Sequence, residues 1–173
     1  LDPAKLSKIA VVGPNADSRI ALRGNYHGTA QRNITVLEGI QEYLGGRARV
    51  FYSEGADIAA DKVERLAQAH DRISEAVGIA RLCDVVIVCL GLDENLEGEQ
   101  KDTLGIFDSG DKKTLDLPQG QQRLLEALCE TGKPVVLVHM TGSAMAIGYA
   151  QEHCSAILQA WYPGSQGGLA VAR

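Results

Sequence analysis

Residues 84–102 read DVVIVCLGLDENLEGEQKD. The first part, DVVIVCLG (84–91), is rich in β-branched residues and lacks polar alternation. A strand of that kind is buried on both faces, as in a parallel sheet. The second part gathers four carboxylates, Asp93, Glu94, Glu97 and Glu99, within seven residues. Like charges repel, and Asn95 with two glycines makes a poor helix, so the strand runs out into a loop.

Four more apolar runs share the strand character: KIAVVG (8–13), ARVFYSEG (48–55), PVVLVHM (134–140) and AILQAWY (156–162). Helical spacing lies between them. TVLEGIQEYLG (35–45) sets Val36, Leu37, Ile40 and Leu44 on one stripe, opened by a Thr35/Glu38 capping box and closed by Gly45. DKVERLAQAHDRISEAVGIARLC (61–83) takes Asp61 as its cap. PQGQQRLLEALCETG (118–132) runs from Pro118 in the first turn to Gly132, and SAMAIGYAQEH (143–153) is a further short helix. GSQGGLAVAR opens a last one and stops at Arg173, as a fragment of a longer protein would. This alternation predicts one α/β domain over 1–173. Its sheet is open and mostly parallel, of about five or six strands with helices on both faces, a three-layer αβα sandwich.

Bulk properties narrow the function classes. The chain has 173 residues, 45% of them hydrophobic and 23% charged, ordinary for a globular domain. A net charge of −5 speaks against a nucleic-acid partner. No apolar run approaches the roughly 20 residues of a membrane span, and no signal peptide is visible, so the expectation is no membrane partner and a cytoplasmic location. Cys83, Cys89, Cys129 and Cys154 form no CxxC pair. Buried reduced thiols are expected, with one disulfide as the alternative, and no metal or cofactor is called for.

Ligands of such sheets sit at the carboxyl ends of the strands. Two connections there are unusually long, GPNADSRIALRGNYHGTAQRN and GLDENLEGEQKDTLGIFDSGDKKTLD. From Asp93 to Asp116 there are eight acids against three bases, a local −5 that equals the charge of the whole chain. Three readings of this loop stand: a solvated surface, a calcium site (though the D-x-[DN]-x-[DN]-G spacing is missing), and a carboxylate used as general acid/base. The turns VVGPNADS and PGSQGG could cradle an anion, or simply be tight turns into close-packed helices; the first is not GxGxxG. Of the histidines, His70 reads as exposed, His139 as core and His153 as a helix end; His27, in the first long loop, is the candidate for substrate.

Seven motifs then come in one order: KIAVVGPNAD, GNYHGT, VLEGI, LEGEQKD, GDKKTLDLPQGQQRLLEAL, GKPVVLVHMTGSAMAI and AILQAWYPGSQGG. Together they resemble, over nearly the whole chain, the C-terminal α/β sandwich domain of family 3 glycoside hydrolases, in the branch of β-xylosidases and related β-glucosidases. The resemblance implies a retaining two-carboxylate mechanism on an oligosaccharide or an aryl or alkyl β-glycoside. The nucleophilic aspartate would come from an N-terminal (β/α)8 barrel, and the general acid/base from the loop matching LEGEQKD. Glu99 is the best match and Glu97 the runner-up. Asn25, Tyr26 and His27 of GNYHGT would border the sugar. Partners would be the barrel and, by self-association, a second copy as a homodimer. Nothing here resembles the barrel, so this chain alone is expected to be inactive. Many relatives carry NGRP where this chain has TGSA (141–144). The alternative reading is a non-catalytic α/β domain that binds a nucleotide or a sugar.

Overall fold

The computed structural model describes residues 1–59, 68, 70–98 and 112–173. Five strands form one sheet: β1 (Lys8–Val12), β2 (Arg49–Ser53), β3 (Val85–Gly91), β4 (Val135–Met140) and β5 (Ala156–Gln159). Their order is β2-β1-β3-β4-β5 and every pairing is parallel. The helices are α1 (Val36–Leu44), α2 (Asp71–Leu82), α3 (Gln119–Cys129), α4 (Gly148–His153) and α5 (Gly167–Ala172). The side-chain period of 2 divides the core into two layers. Ala10, Val12, Val86, Val88 and Leu90 face α2, α3 and α4. Ile9, Val11, Val85, Ile87 and Cys89 face α1 and α5. This is the three-layer αβα sandwich expected.

The order reverses between β1 and β3, whose chains leave for opposite faces of the sheet. Ligand crevices form at such a switch point. The two long loops follow these two strands.

Burial on both faces holds for β1, β3 and β4. It does not hold for β2 and β5, whose residues are mostly exposed or half-buried because each has a strand on only one side. The run 156–162 ends as a strand at Gln159; Trp161, at φ +56°, turns the chain away. The capping box is made in full: Thr35 Oγ1 accepts from Glu38 N at 3.2 Å, and Thr35 N donates to Glu38 Oε2 at 2.9 Å. The helix expected over 143–153 forms only from Gly148. Upstream, Ala146 N donates to Leu115 O at 2.7 Å, a contact between loops that replaces a helical bond. Asp61 lies outside the described residues, and the described helix of that segment begins at Asp71. Cys83 and Cys89 are buried, but Cys129 and Cys154 are only half-buried, so the expectation for four buried thiols holds for two. No helix among the described residues is long and apolar enough to cross a membrane.

Two glycine contacts set the frame. Gly39 of α1 packs on Gly168 of α5, where a Cβ on Gly39 would come within 2.0 Å of the Gly168 carbonyl oxygen. Gly91 ends β3 at φ +147°, and a Cβ there would meet Met140 O at 1.8 Å. Gln121 of α3 brackets the same residue: its Oε1 accepts from Gly91 N and its Nε2 donates to Gly91 O, both at 2.8 Å.

Gly91→Ala combines a disfavoured φ with a backbone clash. It is expected to cost about 3 kcal/mol or more in urea unfolding. Gly78→Ala, at an exposed position of α2 with open space around it, is expected to gain about 0.5–1 kcal/mol in the same measurement.

Candidate functional site at the carboxyl edge of the sheet

The acidic loop leaves β3 as an anchored turn. Leu92 and Leu96, four residues apart, are fully buried and pin it to the domain. Between them Asp93 is only 6% exposed. Its side chain accepts from Asn95 N at 2.9 Å, and its carbonyl accepts from Leu96 N and Glu97 N at 3.0 Å. Burial raises the Asp93 pKa above its ordinary value, against the lowering effect of hydrogen bonds from Asn95 and Leu96. Residues 92–98 are therefore not a freely solvated surface. The i, i+4 leucines were the sequence signal for this anchoring.

The carboxylates of this turn diverge. Glu94 faces the first loop: its Oε1 lies 3.4 Å from Arg23 Nη2 and its Oε2 3.0 Å from His27 Nε2. Glu97 faces the turns after β4 and β5. It accepts from Gly142 N at 2.8 Å, from Thr141 Oγ1 at 3.5 Å, and from the hydroxyls of Ser143 and Tyr162. Its own carbonyl accepts from Asn25 Nδ2 at 2.6 Å. Glycine makes the seat for Tyr162: a Cβ at Gly24 or at Gly142 would fall within 3 Å of its ring. Burial, followed by the Glu97 carboxylate, drives the Tyr162 pKa far up, so its hydroxyl remains a donor. Lys112, where the description of the loop resumes, donates to Ser143 Oγ and to the Ala144 carbonyl. Glu97 and Lys112 thus dock on one turn, the TGSA of residues 141–144.

The expected site residues fall as follows. Glu99 lies outside the described residues. Glu97 is at the edge with both oxygens engaged. Asn25 and His27 point into the acidic loop. Tyr26, at φ +61°, is 87% exposed. Sequence reasoning missed Arg23, Lys112 and Tyr162, and gave Glu94 no role beyond the acidic cluster.

Among the described residues no group of three or more His, Cys, Asp or Glu side chains could hold a metal ion. The amides of the glycine turns are committed: Gly13 N donates to Ser53 O, Gly167 N to Gly164 O and Gly168 N to Ile34 O. These three amides are spent on packing the turns against the domain. His139 is core, its Nδ1 2.7 Å from Gln159 Oε1. His70 is exposed, and His153 ends α4 with Nδ1 2.9 Å from the Tyr149 carbonyl.

A doubly wound α/β domain whose two switch-point loops are tied together by carboxylates defines the class. The glycosyl hydrolase family 3 C-terminal domain model matches residues 1–173, and the chain belongs to that family. It is similar to the periplasmic beta-glucosidase of Salmonella typhimurium (35% identity, 97% of this chain, 23% of the relative). It is also similar to a beta-xylosidase of Formosa agariphila (33% identity, 99% and 22%). Among solved structures, a β-glucosidase from Erythrobacter marinus superposes with a TM-score of 0.83 at 35% identity over 99% of this chain and 24% of that one. A GH3 exo-beta-xylosidase superposes at 0.81, with 27% identity over 97% and 20%. The chain spans less than a quarter of the length of these relatives.

Glu97→Ala leaves four donors facing a void and is expected to cost about 3 kcal/mol in urea unfolding, against about 1–2 kcal/mol for Tyr162→Phe. Burial holds the pKa of His139 below its usual value. As pH falls through about 6.5 the unfolded chain takes up a proton that the folded one resists. The stabilisation present above that pH is then lost on acidification. His139→Gln removes this linkage, so its stability deficit relative to wild type is expected to shrink between about pH 7 and pH 5, as read by urea midpoints.

Proposed function

We propose that the full-length protein is a retaining β-glycosidase, a β-glucosidase or β-xylosidase, that removes terminal non-reducing sugars from oligosaccharides or aryl and alkyl β-glycosides. In this reading the present domain supplies the general acid/base, Glu99, and one wall of the cleft. An N-terminal (β/α)8 barrel supplies the nucleophilic aspartate. One observation carries it: the acidic loop, which bears LEGEQKD, is pinned through Glu97 at the switch-point edge of the sheet. Both Glu97 oxygens are already engaged by the domain's own donors, which leaves the acid/base role to the next glutamate of the loop. Family membership and the names of the relatives support the substrate class.

The chemistry needs two carboxyl groups about 5–5.5 Å apart. The aspartate attacks the anomeric carbon while Glu99 gives its proton to the departing glycosidic oxygen. Glu99, now a carboxylate, then takes a proton from the water that attacks the same carbon and frees the aspartate. Of the first-loop residues, Tyr26 offers the exposed ring to a sugar, while Asn25 and His27 hold the wall in place. The alternative of a nucleotide-binding domain is disfavoured by the committed amides of both glycine turns.

In the full-length protein, Glu99→Gln is expected to lower kcat about 10²–10⁴-fold on disaccharides, whose leaving groups need a proton. Dinitrophenyl glycosides should suffer far less at the first step, and azide should speed their turnover and yield the β-glycosyl azide. Glu97→Gln should lower both substrates alike through lost structure. Full activity of Glu99→Gln on disaccharides would refute the assignment.

A further inference from the structure

The two site loops meet at a histidine–carboxylate contact. His27 Nδ1 lies 3.0 Å from the Gly28 carbonyl oxygen, which can only accept. His27 Nε2 lies 3.0 Å from Glu94 Oε2, an ion-pair contact rather than an aligned hydrogen bond. A neutral ring carries one N–H and satisfies one of these neighbours; facing both requires a second proton, on the ring or on Glu94. Among the described residues, the charged groups at the contact are Arg23, 3.4 Å from Glu94 Oε1, and Asp93, which feels the Glu94 charge from within the same turn. Of these contacts, the one between a histidine and a carboxylate is the one whose attraction depends on a proton.

We propose that Glu94 is a positioning residue: with His27 it forms a proton-dependent clamp that closes the first loop, residues 23–28, onto the acid-bearing loop and so sets the sugar-binding wall. The proposal rests on the glycosidase reading for its effect on substrate, and on geometry alone for the clamp. Glu94 touches no reacting atom. It acts through the backbone that carries Tyr26 and through Asn25, which meets the next carboxylate's carbonyl. When the proton leaves, the Nε2 lone pair faces a carboxylate, and this contact no longer helps hold the loops together. The wall then loosens as pH rises, and substrate affinity falls while the glycosidic step is spared.

The test uses the full-length protein, with hydrogen exchange read by mass spectrometry over residues 23–30 and 92–98, and kinetics on dinitrophenyl β-glucoside and β-xyloside. Wild-type exchange over 23–30, corrected for intrinsic chemistry, is expected to be roughly fivefold faster at about pH 8 than at about pH 5.5. Glu94→Gln and His27→Gln should exchange fast at both, and the double variant no faster than either. At the lower pH, KM should rise about fivefold in Glu94→Gln with kcat within about twofold, and wild type should approach the variant as pH rises. Exchange that is the same in all forms at both pH values overturns the clamp. A pH-dependent exchange with unmoved KM overturns its role in the cleft. Pronounced clamp behaviour in a wild-type protein that hydrolyses neither glycoside overturns the glycosidase reading and leaves the clamp standing.

Discussion

The carboxylate of Glu97 is the fastening on which the carboxyl edge depends. It sits on the loop after β3 and takes hydrogen bonds from the turn after β4 and from Tyr162 after β5, while its backbone carbonyl takes one from Asn25 after β1. Four of the five strand ends therefore meet at one residue. A single unpaired carboxylate in a half-buried position would be costly, because its desolvation would go uncompensated. With four donors it becomes the acceptor that lets an amide and three hydroxyls leave water. Loops that share such a group order together, since each donor lost raises the cost of keeping the rest in place.

That fastening works only because the strand end beneath it is fixed. Gly91 lies against the Met140 carbonyl at a distance that excludes any side chain, and the Gln121 amide satisfies both of its backbone groups. Leu92 can then donate to Met140 O and turn its side chain into the core. The path from fold to site is short: a fully buried strand, a glycine that permits close approach, two buried leucines, and a carboxylate aimed across the edge.

Much of this was legible in the residues. The β-branched runs gave the five strands, and Thr35 with Glu38 gave the start of α1, because those signals are local. The burial of β2 and β5 was overstated, since composition cannot reveal which strands lie at an edge. The helix expected from Ser143 failed where the 141–144 turn took on long-range partners, Glu97 and Lys112. The site was legible as a place, in the excess acid of one loop, but not as a circuit. Nothing local in AWYPG says that Tyr162 bonds a carboxylate 65 positions earlier; that pairing arises from strand order. The same holds for His27 and Glu94, which meet because β1 and β3 are neighbours.

The docking of Glu97 and Lys112 on one turn bears on why an acid/base would be placed in a long loop at all. The entropy of closing a loop grows only slowly with its length, by roughly 0.6 kcal/mol per doubling. Once both flanks are fixed at Ser143, most of the closure cost has been met by contacts that have nothing to do with substrate. Under the proposed function, a carboxyl group carried between such flanks would reach its substrate at a lower entropic cost. The excess of acid in the loop then has two uses. Glu94 and Glu97 spend their charge on holding the edge together, and in the proposed glycosidase a carboxylate beyond them would spend its proton on chemistry.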